Sequence, residues 1–177
     1  YNEGWYDGVG NWTVDTARYD NGIIELSTYA KDRGLGHVLW YEPERVYPDT
    51  VFHKKGSENE QWLINTGDDN SMWNLANEDA LEFYCEYICN SLKENGVTIY
   101  RQDFNFPPAP YWAHNTEPDR EGVLENLHIL GYYRYWDTLI ERNPGLWMDS
   151  CASGGSRNDP ETIRRAVPLH YTDVGYG

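Results

Sequence analysis

Cysteine is scarce and odd in number. Three thiols in 177 residues supply no disulfide framework. Cys85 and Cys89 stand four apart beside Leu81, Tyr84 and Leu92 on a helix-patterned segment, which reads as face packing. Cys151 differs, because it follows a strand-like run. Basic residues are also few: 14 Lys and Arg against 29 Asp and Glu, a net charge of −15. Nucleic acid and anionic membranes both require basic patches, so neither is expected as a partner. No apolar run is long enough to span a bilayer. The five His show no ligand spacing, and neither a metal nor a cofactor is expected. Low-complexity tracts and fixed-period repeats are missing too. So are an initiator Met and a signal-like N-terminus, which leads us to expect a piece of a longer protein. Localisation is then unreadable, and a homo-oligomeric parent stays open.

What is present is aromatic and acidic. Eight Trp and fifteen Tyr serve either as core or as flat faces on which sugars stack. Four times an apolar run climbs into an aromatic and stops on a carboxylate: His37 to Glu44, Val97 to Asn105, Gly145 to Cys151 and Leu169 to Asp173. Helical segments separate the first three. Residues 21–34 have Asp20 or Asn21 as cap and Gly34 as stop. Residues 77–95 carry Leu81, Tyr84, Ile88 and Leu92 at helical spacing, and residues 120–142 close on Asn143-Pro144. A short helix is expected from Pro160 to Ala166, with Asp159 as its cap. Residues 48–74 read as a long loop with a possible strand at Trp62–Ile64, and residues 107–119 as a Pro- and aromatic-containing loop. The rhythm is that of an α/β chain with a parallel sheet and crossover helices. We expect an incomplete (β/α)8 TIM barrel with about six of the eight strands, since a whole barrel needs about 250 residues. The carboxyl ends of barrel strands carry the chemistry.

Asp103 closes an apolar strand beside Arg101, Gln102 and Asn105, where a charge needs a cleft or a partner. Asp173 follows His170-Tyr171-Thr172. Singly, each also fits a plain structural role as a loop cap or turn residue. Two acids at neighbouring strand ends are the minimal machine for cleaving a glycosidic bond, provided one stays ionised and the other protonated. The run from Cys151 to Arg157 contains Gly154 and Gly155, which permit close backbone approach but lack phosphate-loop spacing. Trp40-Tyr41-Glu42-Pro43-Glu44 sets an aromatic platform beside two acids, which fit ion pairing as well as ligand contact.

In that order, Trp40-Tyr41-Glu42-Pro43-Glu44, Asp103-Phe104-Asn105, Ser150-Cys151-Ala152-Ser153-Gly154-Gly155-Ser156-Arg157 and Thr172-Asp173 resemble glycoside hydrolase family 36, the α-galactosidase (melibiase) family. Its pattern is W-x-E-P-E, K-W-D-x-N, E-S-C-x-S/G-G-G-x-R and W-x-S-D. The resemblance runs from Gly4 to Asp173. It implies a (β/α)8 barrel, retaining hydrolysis, Asp103 as nucleophile and Asp173 as acid/base. It also implies substrate contacts at Trp40, Arg101, Asn105, Cys151, Gly154 and Arg157. Residues 1–177 would then be one partial catalytic barrel, acting on an α-linked galactoside oligosaccharide or glycoconjugate. Departures fall at Arg101 for Lys, Gln102 for Trp, Phe106 for a basic residue, Asp149 for Glu, and His170 for Trp, the last expected to act as a subsite wall. Past Asp173 the family's acidic run is replaced by Val174-Gly175-Tyr176. Rival readings are an α-N-acetylgalactosaminidase, a galactosyl transferase, a non-catalytic carbohydrate-binding fragment, and a Mg²⁺-dependent barrel lyase.

Overall fold

The computed structural model describes residues 8–67, 69–170 and 172–175. Along the chain it forms α1 (Ile24–Lys31), β1 (Val38–Tyr41), β2 (Arg45–Val46), α2 (Val51–Ser57), β3 (Leu63–Asn65) and β4 (Ser71–Trp73). Then follow α3 (Glu78–Glu94), β5 (Ile99–Gln102), α4 (Ala109–His114), α5 (Val123–Arg142), β6 (Trp147–Ser150) and α6 (Pro160–Arg165). The chain divides into two units. One comprises Thr13–Tyr41, Cys85–Asp103 and Trp136–Gly177; the other comprises Tyr1–Trp12, Glu42–Tyr84 and Phe104–Tyr135.

The first unit holds a parallel sheet in the order β1-β5-β6. Its register aligns Trp40 with Arg101 and Arg101 with Asp149. Register partners share a face, and successive residues alternate faces. β5 starts later than its apolar pattern suggests. The Val97 N–H turns back to the Leu92 carbonyl to close α3, so Arg101 and Gln102 enter the ladder instead. Gly96 makes that closure at φ +62°, where a Cβ would stand 2.8 Å from Ile24 Cδ1 and 3.0 Å from Ser27 Cβ. α1 is shorter than expected. Gly22, at φ +75°, puts a turn before it, and Ile23 stands at the N-cap without a side-chain bond. At the other end of this unit, Asp159 caps α6 by accepting the Thr162 N–H at 2.8 Å, as the sequence suggests.

A fourth strand at Leu169–Asp173 is not formed among the described residues; Tyr171 lies outside them. Val167 makes one parallel bridge to Asp149. The next available donor, Leu169 N–H, goes to the Asp149 carboxylate at 2.9 Å, so a side chain takes what a strand ladder would need.

The second unit corrects the expected loops. Residues 48–74 contain α2, whose N-cap Thr50 accepts the His53 N–H, and two strands of an antiparallel sheet ordered β2-β4-β3. Three of the six named strands are therefore antiparallel. Residues 107–119 contain α4, whose first turn tolerates Pro110 because those N–H groups lack helical partners anyway. The core is aromatic. Phe52 packs edge-on against Trp73 and Tyr84, with centroids 5.1 and 4.7 Å away, and Tyr84 stacks on Tyr135 at 5.5 Å. Trp73, Tyr84 and Tyr135 are fully buried, so much of the aromatic excess is core.

Candidate active site

Three strands of the parallel sheet place Trp40, Arg101 and Asp149 in one row. Asp149, almost wholly buried, accepts from Arg101 Nη1 at 2.5 Å and from the Leu169 N–H. Partial burial works against the Arg101 charge, but the Asp149 hydrogen bond and charge overcome it and hold the guanidinium firmly protonated. Asp149 thus anchors the cation and ties down the segment that leads to Asp173.

Asp103 emerges two residues past Arg101, the spacing that keeps one face of a strand. Its N–H donates to the Tyr41 carbonyl, which places it at the end of the β1–β5 ladder. Trp40 Nε1 donates to Asp103 Oδ2 at 3.1 Å, and the Ser153 N–H reaches Oδ1 at 3.4 Å. Donors to both oxygens favour the ionised form. Trp40 is therefore more than a flat wall, because it also orients a carboxylate. Ser153 has no counterpart among the residues expected from the sequence. The signal for it was the turn itself: Ser153 and Gly154 take φ of +45° and +81°.

The same turn meets Asp173. A Cβ on Gly154 would lie 2.7 Å from the Asp173 backbone nitrogen and 3.1 Å from Thr172 Cα, so only glycine fits that approach. Ser153, Gly155, Ser156, Thr172, Asp173 and Val174 line a polar cavity of about 550 Å³. Asp173 is half exposed and pairs with His170 Nε2 at 3.0 Å. His170, expected as a subsite wall, is also a polar partner of Asp173.

Cys151 is buried beside Asp103. Burial foremost, then the Asp103 charge and hydrogen bond, push its thiol up to about 11, against the lowering effect of a backbone hydrogen bond from Gly154 and of Arg101. Arg157 is half-buried at the end of the turn.

Gln102 lies on the opposite face from Arg101. Its Oε1 accepts from Trp136 Nε1 at 2.6 Å and from Tyr100 OH at 3.0 Å. The Gln at this position therefore serves packing against α5, not the Asp103 side of the sheet.

Asn105, Glu42 and Glu44 belong to the other unit. Glu42 accepts the Asn105 N–H at 2.9 Å and pairs with Arg45 at 2.6 Å. Burial holds the Glu42 carboxyl above its ordinary range, with Arg45 and Asn105 opposing. Glu44 pairs with His128 at 2.8 Å, both wholly buried. Both glutamates hold structure here. No metal-binding group of three or more His, Cys, Asp or Glu occurs among the described residues.

A family model described as melibiase matches residues 3–173. The chain belongs to the melibiase family. It is 26% identical over 172 residues to "Alpha-galactosidase AgaA" of Geobacillus stearothermophilus, covering 89% of this chain and 23% of that protein. It is also 26% identical over 178 residues to "Alpha-galactosidase" of Escherichia coli, covering 92% of this chain and 24% of the other. The crystal structure of a substituted AgaA in complex with stachyose matches with a TM-score of 0.78 at 25% identity, over 93% of this chain and 23% of that one. The chain thus spans about a quarter of the length of the melibiase relatives it matches.

Proposed function

We propose that residues 1–177 form part of the (β/α)8 catalytic barrel of a retaining α-galactosidase. The observation that carries this reading is the convergence of Asp103 and Asp173 on one turn: the Ser153 N–H holds the first, and Gly154 makes room for the backbone of the second. The melibiase match supports the reaction class, and stachyose in the AgaA complex supports a galactosyl oligosaccharide as substrate.

In this mechanism Asp103, oriented by Trp40 and Ser153, attacks the anomeric carbon. Asp173 delivers a proton to the departing oxygen as the glycosidic bond breaks. A covalent galactosyl-enzyme results. Asp173, now a carboxylate, takes a proton from water, which displaces Asp103 and restores both acids. Arg101 offers its free N–H groups to sugar hydroxyls as a planar fork, a geometry that Lys does not reproduce. Cys151, protonated at neutral pH, is a neutral neighbour and not a competing nucleophile. The reaction needs the two carboxyls about 5–5.5 Å apart around a bound sugar.

Azide rescue of the full-length parent tests the roles. Asp103→Gly should lose hydrolysis and regain turnover with azide, giving the β-galactosyl azide. Asp173→Ala should give the α-galactosyl azide from an activated aryl substrate. Wild-type enzyme should release α-galactose first. Release of β-galactose as the first product, or normal turnover by Asp103→Gly, overturns the reading.

A further inference from the structure

We infer that Asp149 is a positioning residue for the proposed reaction: it aims the Arg101 guanidinium at the sugar and fixes the backbone that leads to Asp173. This rests on the reading of Arg101 as a sugar contact. Asp149 acts through its two carboxylate oxygens, and each is taken. Oδ2 accepts from Arg101 Nη1 at 2.5 Å, and Oδ1 accepts the Leu169 N–H at 2.9 Å. The acid is 1% exposed, so it depends on these two donors and not on water. Arg101 stands in register between Trp40 and Asp149, and Trp40 Nε1 reaches Asp103 from the same row. On the far side of β6, the Val167 N–H bonds the Met148 carbonyl at 2.8 Å. Beyond that bond the Asp149 side chain takes the next donor, the Leu169 N–H. Four residues later the Asp173 backbone meets Gly154. The approach to Asp173 is thus held at both ends, and Asp149 holds one of them.

A buried ion pair is often purely structural. Two features carry this one further. The guanidinium is rigid and planar, so holding one nitrogen limits where its remaining donors point. Sugar hydroxyls are told apart by donor direction, and a misplacement of about 1 Å can cost about a hundredfold in rate. The second feature is in the sequence. Two of the departures from the motif pattern, Arg101 for Lys and Asp149 for Glu, fall on cross-strand partners. One side chain reaches further and the other is a methylene shorter, so their combined span is kept. That exchange fits a cation whose place is set from β6 as well as from β5.

The test uses the full-length parent with an aryl α-galactoside and its 2-, 3-, 4- and 6-deoxy analogues. In wild type, the analogue lacking the hydroxyl that Arg101 meets should lose about tenfold or more in kcat/KM. Arg101→Met should flatten that penalty. Asp149→Asn supplies one acceptor where two are needed, and should flatten the same penalty at the same position, to within about threefold of Arg101→Met. A merely structural role lowers activity on every analogue alike and leaves the penalty in place. A second measurement does not depend on the folding of the Asn variant. Arg101→Lys and Asp149→Glu should each lose about tenfold or more in kcat/KM. The double variant, which restores the span, should exceed the product of the two losses by about tenfold or more. Wild-type hydroxyl discrimination in Asp149→Asn, or losses that simply multiply in the double variant, overturn the inference. If Arg101→Met keeps every penalty, Arg101 is not the sugar contact and the role of Asp149 falls with that reading. If Arg101→Met flattens one penalty and Asp149→Asn spares it, only the role of Asp149 fails. A wild-type parent that hydrolyses none of these substrates fails the reaction class itself.

Discussion

Asp149 shows how one buried carboxylate can hold two distant parts of the chain at once. It holds Arg101 by an ion pair and the backbone of Leu169 by a hydrogen bond. Removing Arg101 leaves Asp149 buried with its charge uncompensated, a loss that typically costs about 3–5 kcal/mol. Arg101→Ala in the parent enzyme should therefore lower the melting temperature as well as kcat/KM, and Arg101→Lys should restore stability better than activity. A melting temperature equal to wild type for Arg101→Ala would contradict the role given to the pair. Cys151 supplies a pH test. Its thiol is raised from 9.0 to about 11 in the folded protein. Between those values the folded state keeps a proton that the unfolded state has lost, so stability falls as pH rises from about 9 to about 11. Tyr41, raised by burial from 10.0 to about 12, prolongs the decline. Denaturant titrations of wild type and Cys151→Ala from pH 8 to 11 should show a shallower decline in the variant. Identical slopes would remove Cys151 from the account.

Among the elements, turns and caps decide where the sheet residues fall. Gly96 closes α3 in a left-handed conformation against Ile24 and Ser27. Gly96→Ala meets both the backbone strain and the close contact, and should cost more than about 1 kcal/mol. Because Gly96 leads into β5, the same variant should also reduce activity by disturbing the register that carries Arg101 and Asp103. Asp159 is a simpler case: losing its cap on α6 should cost about 1 kcal/mol in Asp159→Ala and much less in Asp159→Asn. Equal destabilisation by Ala and Asn, read by thermal melts, would show that capping is not the reason. The α1, α3, α5 and α6 regions were legible because each has helical apolar spacing or punctuation by Gly, Pro or a capping acid. α2, β3 and β4 were not, because elements of three to seven residues are too short to show a period. Their aromatic residues join a core assembled from distant parts of the chain.

At the scale of the whole molecule, charge and exposed apolar surface pull in opposite directions. A net charge of −15 favours dispersal in water. Leu26, Tyr29, Leu35, Val38 and Trp147 are nonetheless exposed by 42–63%, and β1 and β6 are both edge strands. Large exposed apolar side chains beside unpaired strand edges promote association. The 177-residue chain should bind a hydrophobic dye and self-associate more strongly as salt screens its charge. Light scattering between about 20 and 500 mM salt would show it. A monodisperse chain that ignores both dye and salt would contradict this.

By itself the sequence determined the helix-and-strand rhythm, the acids near the ends of β1, β5 and β6, and the four ordered motifs within the stretch that the melibiase model matches. These are local properties, written in spacing, capping residues and short runs. Tertiary structure alone decided which side chains meet. It turned Gln102 toward Trp136 and away from Arg101, and it gave the Leu169 N–H to Asp149 where a fourth strand was expected. It also set His170 against Asp173 and brought the Ser153–Gly154 turn up to both candidate catalytic acids. Apart from the local His170–Asp173 pair, these partners lie far apart in the chain and are chosen by burial and by the need to satisfy each polar group removed from water. That need is settled only when the whole fold closes around them.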